Sequence, residues 1–267
     1  MAYVIALAGK GGTGKTTVAA LTIRYLIEKR QKPVLAIDAD SYSCLNEALG
    51  VAACSTIGQL REESLQTIRS GAERPGGMSM EQLFDYQVQQ AIMEAKGFDL
   101  LVMGRPESPG CYCAANNIIR KYSDKLSEKY PYVVIDNEAG MEHLSRRTTH
   151  KVDLMLVVSD PTQKGIHTAK RITNLIDELS LEVDRRILII NRTSDEGFTP
   201  LENDKILTGF TRLRETAKEL NFEIISSIPD DKEVFQFDLE GKPVFVLPSD
   251  SKAVSSIGNL LDSLSIP

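Results

Sequence analysis

Apolar residues fall along this chain in short runs separated by stretches of helical spacing, an alternation that predicts an α/β architecture. Tyr3 to Ala8 reads as a first buried strand. Val18 to Lys29 carries Val18, Leu21, Ile23, Leu26 and Ile27 at helical spacing, and Gln31-Lys32-Pro33 ends it. Val34 to Ile37 reads as the next strand. Strand, crossover helix and strand in this order imply a right-handed parallel unit. Further apolar runs at Phe98 to Met103, Tyr132 to Ile135, Leu154 to Val158, Ile187 to Ile190 and Glu223 to Ile228 alternate with helical stretches at about Ala115 to Glu128, Thr168 to Leu179 and Arg212 to Leu220. The predicted fold is a doubly wound, mostly parallel sheet with helices on both faces.

The pattern is weaker between Ser41 and Gly77, where a helix around Ile57 to Ile68 and a glycine-rich loop at Gly71 to Gly77 suggest an insertion or partner surface. Val88 to Lys96 is expected to be helical. The ending, Ser251 to Leu264, predicts a last helix with apolar positions Val254, Ile257, Leu260, Leu261 and Leu264; its one lysine and lack of arginine speak against a membrane-surface helix.

At 267 residues the chain is expected to form one large domain, residues 1–267, with no internal repeat or Pro-rich linker. A net charge of −6 and a sequence pI near 5.3 argue against a general affinity for nucleic acid or anionic membrane. No apolar stretch is long enough to span a bilayer, and the first residues enter a strand instead of a cleavable signal, so a cytoplasmic location is expected. Four cysteines, Cys44, Cys54, Cys111 and Cys113, are too few for a disulfide scaffold of this size and read as thiols, metal ligands or small core residues.

The first strand runs into Gly9-Lys10-Gly11-Gly12-Thr13-Gly14-Lys15-Thr16-Thr17. Gly9, four residues and Gly14-Lys15-Thr16 fit the phosphate-loop template, with the strand before and the helix after that the template needs. Glycines let successive N–H groups point at phosphate oxygens at the positive end of a helix. Lys15 would reach the β- and γ-phosphates of ATP or ADP, Thr16 would place its hydroxyl on Mg²⁺, and Thr17 would donate to the α-phosphate.

Lys10, beside the first glycine, resembles the deviant Walker A of the ATPase family that includes septum-positioning, chromosome-partitioning and nitrogenase iron proteins. The resemblance implies that this second lysine crosses to the partner subunit's phosphates in an ATP-bound sandwich dimer; a solvated lysine is the plainer alternative. It further implies that Asp40, in Asp38-Ala39-Asp40, orients the attacking water, with Asp38 close to the Mg²⁺ shell. The same two carboxylates could instead cap a helix. Asp136, at the end of a strand and opening Asp136-Asn137-Glu138-Ala139-Gly140, resembles Walker B and switch II, which makes the aspartate a Mg²⁺ partner through water and Gly140 a backbone donor near the γ-phosphate. Asn191-Arg192 and Pro229-Asp230-Asp231 resemble the strings that hold adenine in iron-protein-like ATPases, although each also suits an ordinary turn.

Cys111-Tyr112-Cys113 departs from a plain ATPase. Two thiols can scarcely fill a four-coordinate site, but two chains about a twofold axis would bring four sulfurs together around Zn²⁺ or Ni²⁺. Small buried residues or a redox-active pair are the alternatives. With the deviant loop, Asp38-Ala39-Asp40 and Gly104-Arg105-Pro106-Glu107, the pair resembles the carbon monoxide dehydrogenase accessory ATPases of the CooC type. That resemblance implies an ATP-dependent homodimer acting in nickel insertion, with carbon monoxide dehydrogenase or its acetyl-CoA synthase counterpart as client. A nitrogenase iron protein would carry a further cysteine after switch II, and Gly140 to His150 has none. Two rivals remain open: a nucleotide-gated switch that recruits a protein partner without a metal role, as septum and partition ATPases do, and an electron-transfer iron–sulfur carrier. Cys44 and Cys54 read as core or surface thiols, and His143, His150 and His167 as capping or exposed residues.

Overall fold

The structure, a computed structural model, describes residues 2–52, 55–70, 77–104, 129–138, 151–194, 220 and 222–267. Its centre is an eight-stranded sheet of β1 (Tyr3–Gly9), β2 (Val34–Ala39), β3 (Met93–Ala95), β4 (Phe98–Val102), β5 (Tyr132–Asn137), β6 (Lys151–Ser159), β7 (Glu182–Thr193) and β8 (Ile224–Pro229), in the order β3-β4-β2-β5-β1-β6-β7-β8. All pairings are parallel except β3 with β4. β5 and β2 lie on one side of β1 and β6 and β7 on the other, and the carboxyl ends of these parallel strands share one edge of the sheet, the place where open parallel sheets bind ligands.

Strand alternation sorts the core into two layers. Ile5 and Leu7 of β1 face α1 (Lys15–Tyr25) and the last helix, while Ala6 and Ala8 face the opposite side. Each fully buried leucine or isoleucine in these layers contributes about 1.5–3 kcal/mol. Along the described residues the helices after α1 are α2 (Leu45–Leu49), α3 (Ile57–Arg69), α4 (Met80–Ala91), α5 (Gln163–Glu178), α6 (Lys232–Leu239) and α7 (Lys252–Ser263). α5 buries Ile166, Ala169, Ile172 and Ile176 against the second layer, and α7 buries Ala253, Ile257, Leu260 and Leu261 against the first.

The expected helix at Val88 to Lys96 is corrected. The helix is α4, begun eight residues earlier by a capping box in which the Ser79 hydroxyl accepts from the Gln82 amide and the Gln82 side chain accepts from the Ser79 amide. It stops where Ile92 turns extended (φ −68°, ψ 121°), and Met93–Ala95 pairs antiparallel with β4 across a turn whose Gly97 has φ +90°. The expected helix Val18 to Lys29 starts instead at Lys15 and finishes as a π-helical turn at Leu26–Arg30. The helices expected at Ala115 to Glu128 and Arg212 to Leu220 lie outside the described residues, apart from Leu220.

Candidate functional site

The first turn of α1 follows directly from β1, and its N-cap is Gly14 in the left-handed region (φ 91°), with no side-chain cap and no acidic residue in the turn. Its first N–H groups are therefore open to an outside acceptor, at the positive end of the helix dipole. Two glycines of the loop, Gly9 and Gly14, are forced by contact as well as by backbone angle. A Cβ on Gly9 would lie 2.2 Å from the Val158 carbonyl oxygen, and one on Gly14 would lie 2.4 Å from Asn191 Nδ2. The carbonyl of Lys10 accepts from the Thr13 hydroxyl at 2.9 Å and from Lys15 Nζ at 3.3 Å. Lys15 is buried; burial lowers its pKa, and Asp136, Asp40 and Glu138 oppose that shift in this order.

Asp38 and Asp136 are register partners on β2 and β5. Burial pushes the Asp136 carboxyl up to about 7, aided by the nearby Asp38, against the Thr16 hydroxyl bonded to it and the charge of Lys15. Asp136 Oδ1 is buried and makes no hydrogen bond among the described residues. An unpartnered carboxyl oxygen beside a hydroxyl is a hard-oxygen donor set, and it fits Mg²⁺. Asp38 is placed differently from Asp40. Its carboxylate is fully buried and accepts from the amides of Asp40 (Oδ1, 3.0 Å) and Leu45 (Oδ2, 3.0 Å), which fastens the loop leading into α2; burial raises it to about 6, with those amides pulling it down. Asp40 lines the cleft and accepts from the Tyr42 amide at 2.9 Å. Ser41 Oγ donates to Glu138 Oε1 at 3.1 Å, tying the two loops that follow β2 and β5.

A cleft of about 630 Å³ runs from the glycine loop to α6 and α7. Gly11, Gly12, Gly14, Lys15, Thr16 and Thr17 line it at the glycine loop. Asn191, Arg192, Pro229, Asp230 and Asp231, for which the family resemblance implied contact with adenine, line the same cleft together. The side chains of three of them are already engaged, Arg192 by donating from Nη1 to the Gly12 carbonyl at 3.1 Å. Asn191 Nδ2 donates to the Thr13 carbonyl at 2.8 Å while its Oδ1 accepts from the Arg192 amide. Asp231 caps α6 through Glu233 N and reaches α7 by accepting from Ser251 Oγ (2.7 Å) and Ala253 N (3.0 Å). Sequence reasoning missed Val234, Phe235 and Asp238 of α6 in the cleft wall. Their one advance signal was an aromatic within a charged stretch.

Cys111, Cys113 and Gly140 lie outside the described residues, as do Cys54, His143 and His150. Among the described residues no group of three or more His, Cys, Asp or Glu is placed to hold a metal, and no helix is long and apolar enough to cross a membrane. Cys44 is an exposed thiol.

A glycine cradle at the head of a helix, a buried lysine and a strand-end aspartate at the crevice of a parallel sheet define a P-loop nucleotide-binding protein. The chain belongs to the CobQ/CobB/MinD/ParA nucleotide binding domain family, which matches residues 4–244. An uncharacterized ATP-binding protein of Methanocaldococcus jannaschii is 38% identical over 261 residues, 98% of each chain. The carbon monoxide dehydrogenase accessory protein CooC of Rhodospirillum rubrum is 29% identical over 245 residues, 89% of this chain and 87% of its own. The septum site-determining protein MinD of Pyrococcus horikoshii OT3, solved with Mg-ADP, shares the fold with a TM-score of 0.68 at 19% identity, over 99% of this chain and 96% of that one.

Proposed function

We propose that residues 1–267 form one Mg²⁺-dependent ATPase domain that dimerises around ATP. The observation that carries this reading is the convergence of Lys15, Thr16, Asp40 and Asp136 on the glycine cradle. Thr16 and Asp136 would hold Mg²⁺, which supplies positive charge to the phosphates. Lys15 binds the β- and γ-phosphate oxygens, and the loop N–H groups orient them. Asp40 orients a water for in-line attack on the γ-phosphorus; the bond to the β-γ bridging oxygen breaks, giving ADP and phosphate. Lys10, exposed on the loop, is free to reach the phosphates of a second protomer. ATP hydrolysis by the wild type and by Lys15→Met tests this: turnover confined to the wild type supports the reading, and equal activity in both contradicts it.

The similarity to CooC along most of both chains, together with Cys111-Tyr112-Cys113, supports a finer assignment. In it, the ATP-driven dimer brings two cysteine pairs together as a thiolate site for Zn²⁺ or Ni²⁺ and serves nickel insertion into carbon monoxide dehydrogenase or acetyl-CoA synthase. A second reading, a MinD-like switch that recruits a protein partner without a metal role, draws on Phe235 and Leu239. These residues stand one turn apart on α6, 69% and 72% exposed, and Phe235 lines the cleft.

A further inference from the structure

The end of β7 is built to grip the glycine loop. Consecutive residues of a strand point to opposite faces, so Asn191 and Arg192 should not both reach one loop. Here they do: Asn191 Nδ2 donates to the Thr13 carbonyl at 2.8 Å, and Arg192 Nη1 donates to the Gly12 carbonyl at 3.1 Å. The alternation is broken by a bulge. Asn191 pairs with Ile228 and Thr193 with Pro229, leaving Arg192 unmatched, and Arg192 sits in the left-handed region at φ 58°. A non-glycine residue held there is disfavoured, and bulges beside ligand sites re-aim side chains. Asn191 Oδ1 locks the kink by accepting the Arg192 amide at 3.0 Å. Gly14 completes the fit, since any side chain there would collide with Asn191 Nδ2.

We infer that Asn191 and Arg192 are positioning residues for the phosphate loop, acting on nucleotide affinity through the Gly12 and Thr13 carbonyls instead of through the base. Holding these two carbonyls on side-chain donors, with the Thr13 amide bonded to the Lys10 carbonyl at 3.4 Å, fixes the course of the backbone between Lys10 and Gly14, where the loop enters the helix that offers its N–H groups to an anion. The end of β7 thereby sets the geometry of the glycine loop beside it. The inference rests on the nucleotide reading above but is distinguishable from it.

The test uses the full-length chain as wild type, Asn191→Ala and Arg192→Ala, the last altering an exposed side chain should the first fail to fold. Calorimetry with Mg²⁺ and ATP, GTP or inorganic tripolyphosphate is paired with hydrogen exchange of the nucleotide-free protein. The expected result is a loss of about three- to tenfold in affinity for ATP and for tripolyphosphate alike. The ATP-to-GTP preference stays unchanged, and exchange is faster at Gly11 to Thr16 but not in the core strands. Retained tripolyphosphate affinity with a lost ATP preference would overturn the inference and make Asn191 a base ligand. Unchanged loop exchange would also overturn it. If the wild type binds none of the three ligands, the nucleotide reading fails, and the exchange data alone still decide whether the loop is gripped.

Discussion

The ammonium of Lys15 lies 3.3 Å from the backbone carbonyl of Lys10, so the loop holds its own lysine against itself at the mouth of the cradle. Burial already disfavours this charge, which leaves it poised to exchange one weak neutral partner for phosphate oxygens. Lys15→Met is expected to lower Mg-ATP affinity by about 10- to 100-fold, the range for losing charged hydrogen bonds. Calorimetry checks the affinity, and a thermal melt of the nucleotide-free variant near that of the wild type shows that the fold is kept.

Lys10 offers its carbonyl to the loop while its side chain stands in solvent. Lys10→Ala should therefore keep ATP affinity within about threefold, as for a solvated charge. Turnover and ATP-dependent dimer mass should both fall if the side chain serves the second protomer. Parallel turnover assays and light scattering with ATP separate these effects.

Asp38 and Asp136 face each other across β2 and β5 with their carboxyls raised to about 6 and about 7 by burial. The sign follows from proton binding. Between the ordinary carboxylate range and these values the folded chain holds more protons than the unfolded chain, so the stability these groups contribute is present at low pH and is lost as pH rises. The nucleotide-free, Mg²⁺-free protein should lose stability from this pair between about pH 4 and pH 7. Asp136→Asn should flatten that decline and raise the pH 8 Tm by about 2–4 °C for each kcal/mol relieved. Thermal melts in chelator across pH 4 to 8 measure it, and an unchanged profile in the variant would count against the assignment.

Asp231 behaves in the opposite sense. Burial pushes its carboxyl up, but hydrogen bonds from Ser251, Ala253, Glu233 and Val234 outweigh this and hold it below the usual value. Its contribution is therefore present at neutral pH and lost as pH falls through the depressed value. Asp231→Ala uncaps α6 and breaks its tie to α7, and should cost about 2–3 kcal/mol at pH 7 and less near pH 3. Denaturant titration at the two pH values gives the comparison.

Much of this was legible because strands buried on both faces read as apolar runs, as in Val34 to Ile37 and Tyr132 to Ile135, each broken only at its carboxyl end by the aspartate that reaches the site. The glycine loop was equally plain, since Gly9 and Gly14 occupy places where contact and φ together exclude a side chain. The short edge strand Met93–Ala95 was hidden because a turn at Gly97 creates it, and three residues carry no period. α6 was hidden because Lys232–Leu239 intersperses charges with apolar residues on both its inner and outer faces. Strand-end carboxylates could be read either as metal partners or as caps. Only the fold shows that Asp38 holds two backbone amides while Asp136 keeps an oxygen without one. The grip of Asn191 and Arg192 on the loop depends on a bulge in the β7–β8 register, a tertiary property that spacing along the chain does not express.

The proposed metal role rests on Cys111 and Cys113 acting across two protomers. Metal content per chain, measured together with solution mass in ADP and in a non-hydrolysable ATP analogue, tests it on the wild type and on Cys111→Ser combined with Cys113→Ser. A dimer in the ATP analogue carrying about half a metal ion per chain, abolished by the double substitution, is the expected result for four thiolates shared about a twofold axis. Absence of cysteine-dependent metal in both nucleotide states would contradict it and leave a nucleotide-gated protein switch.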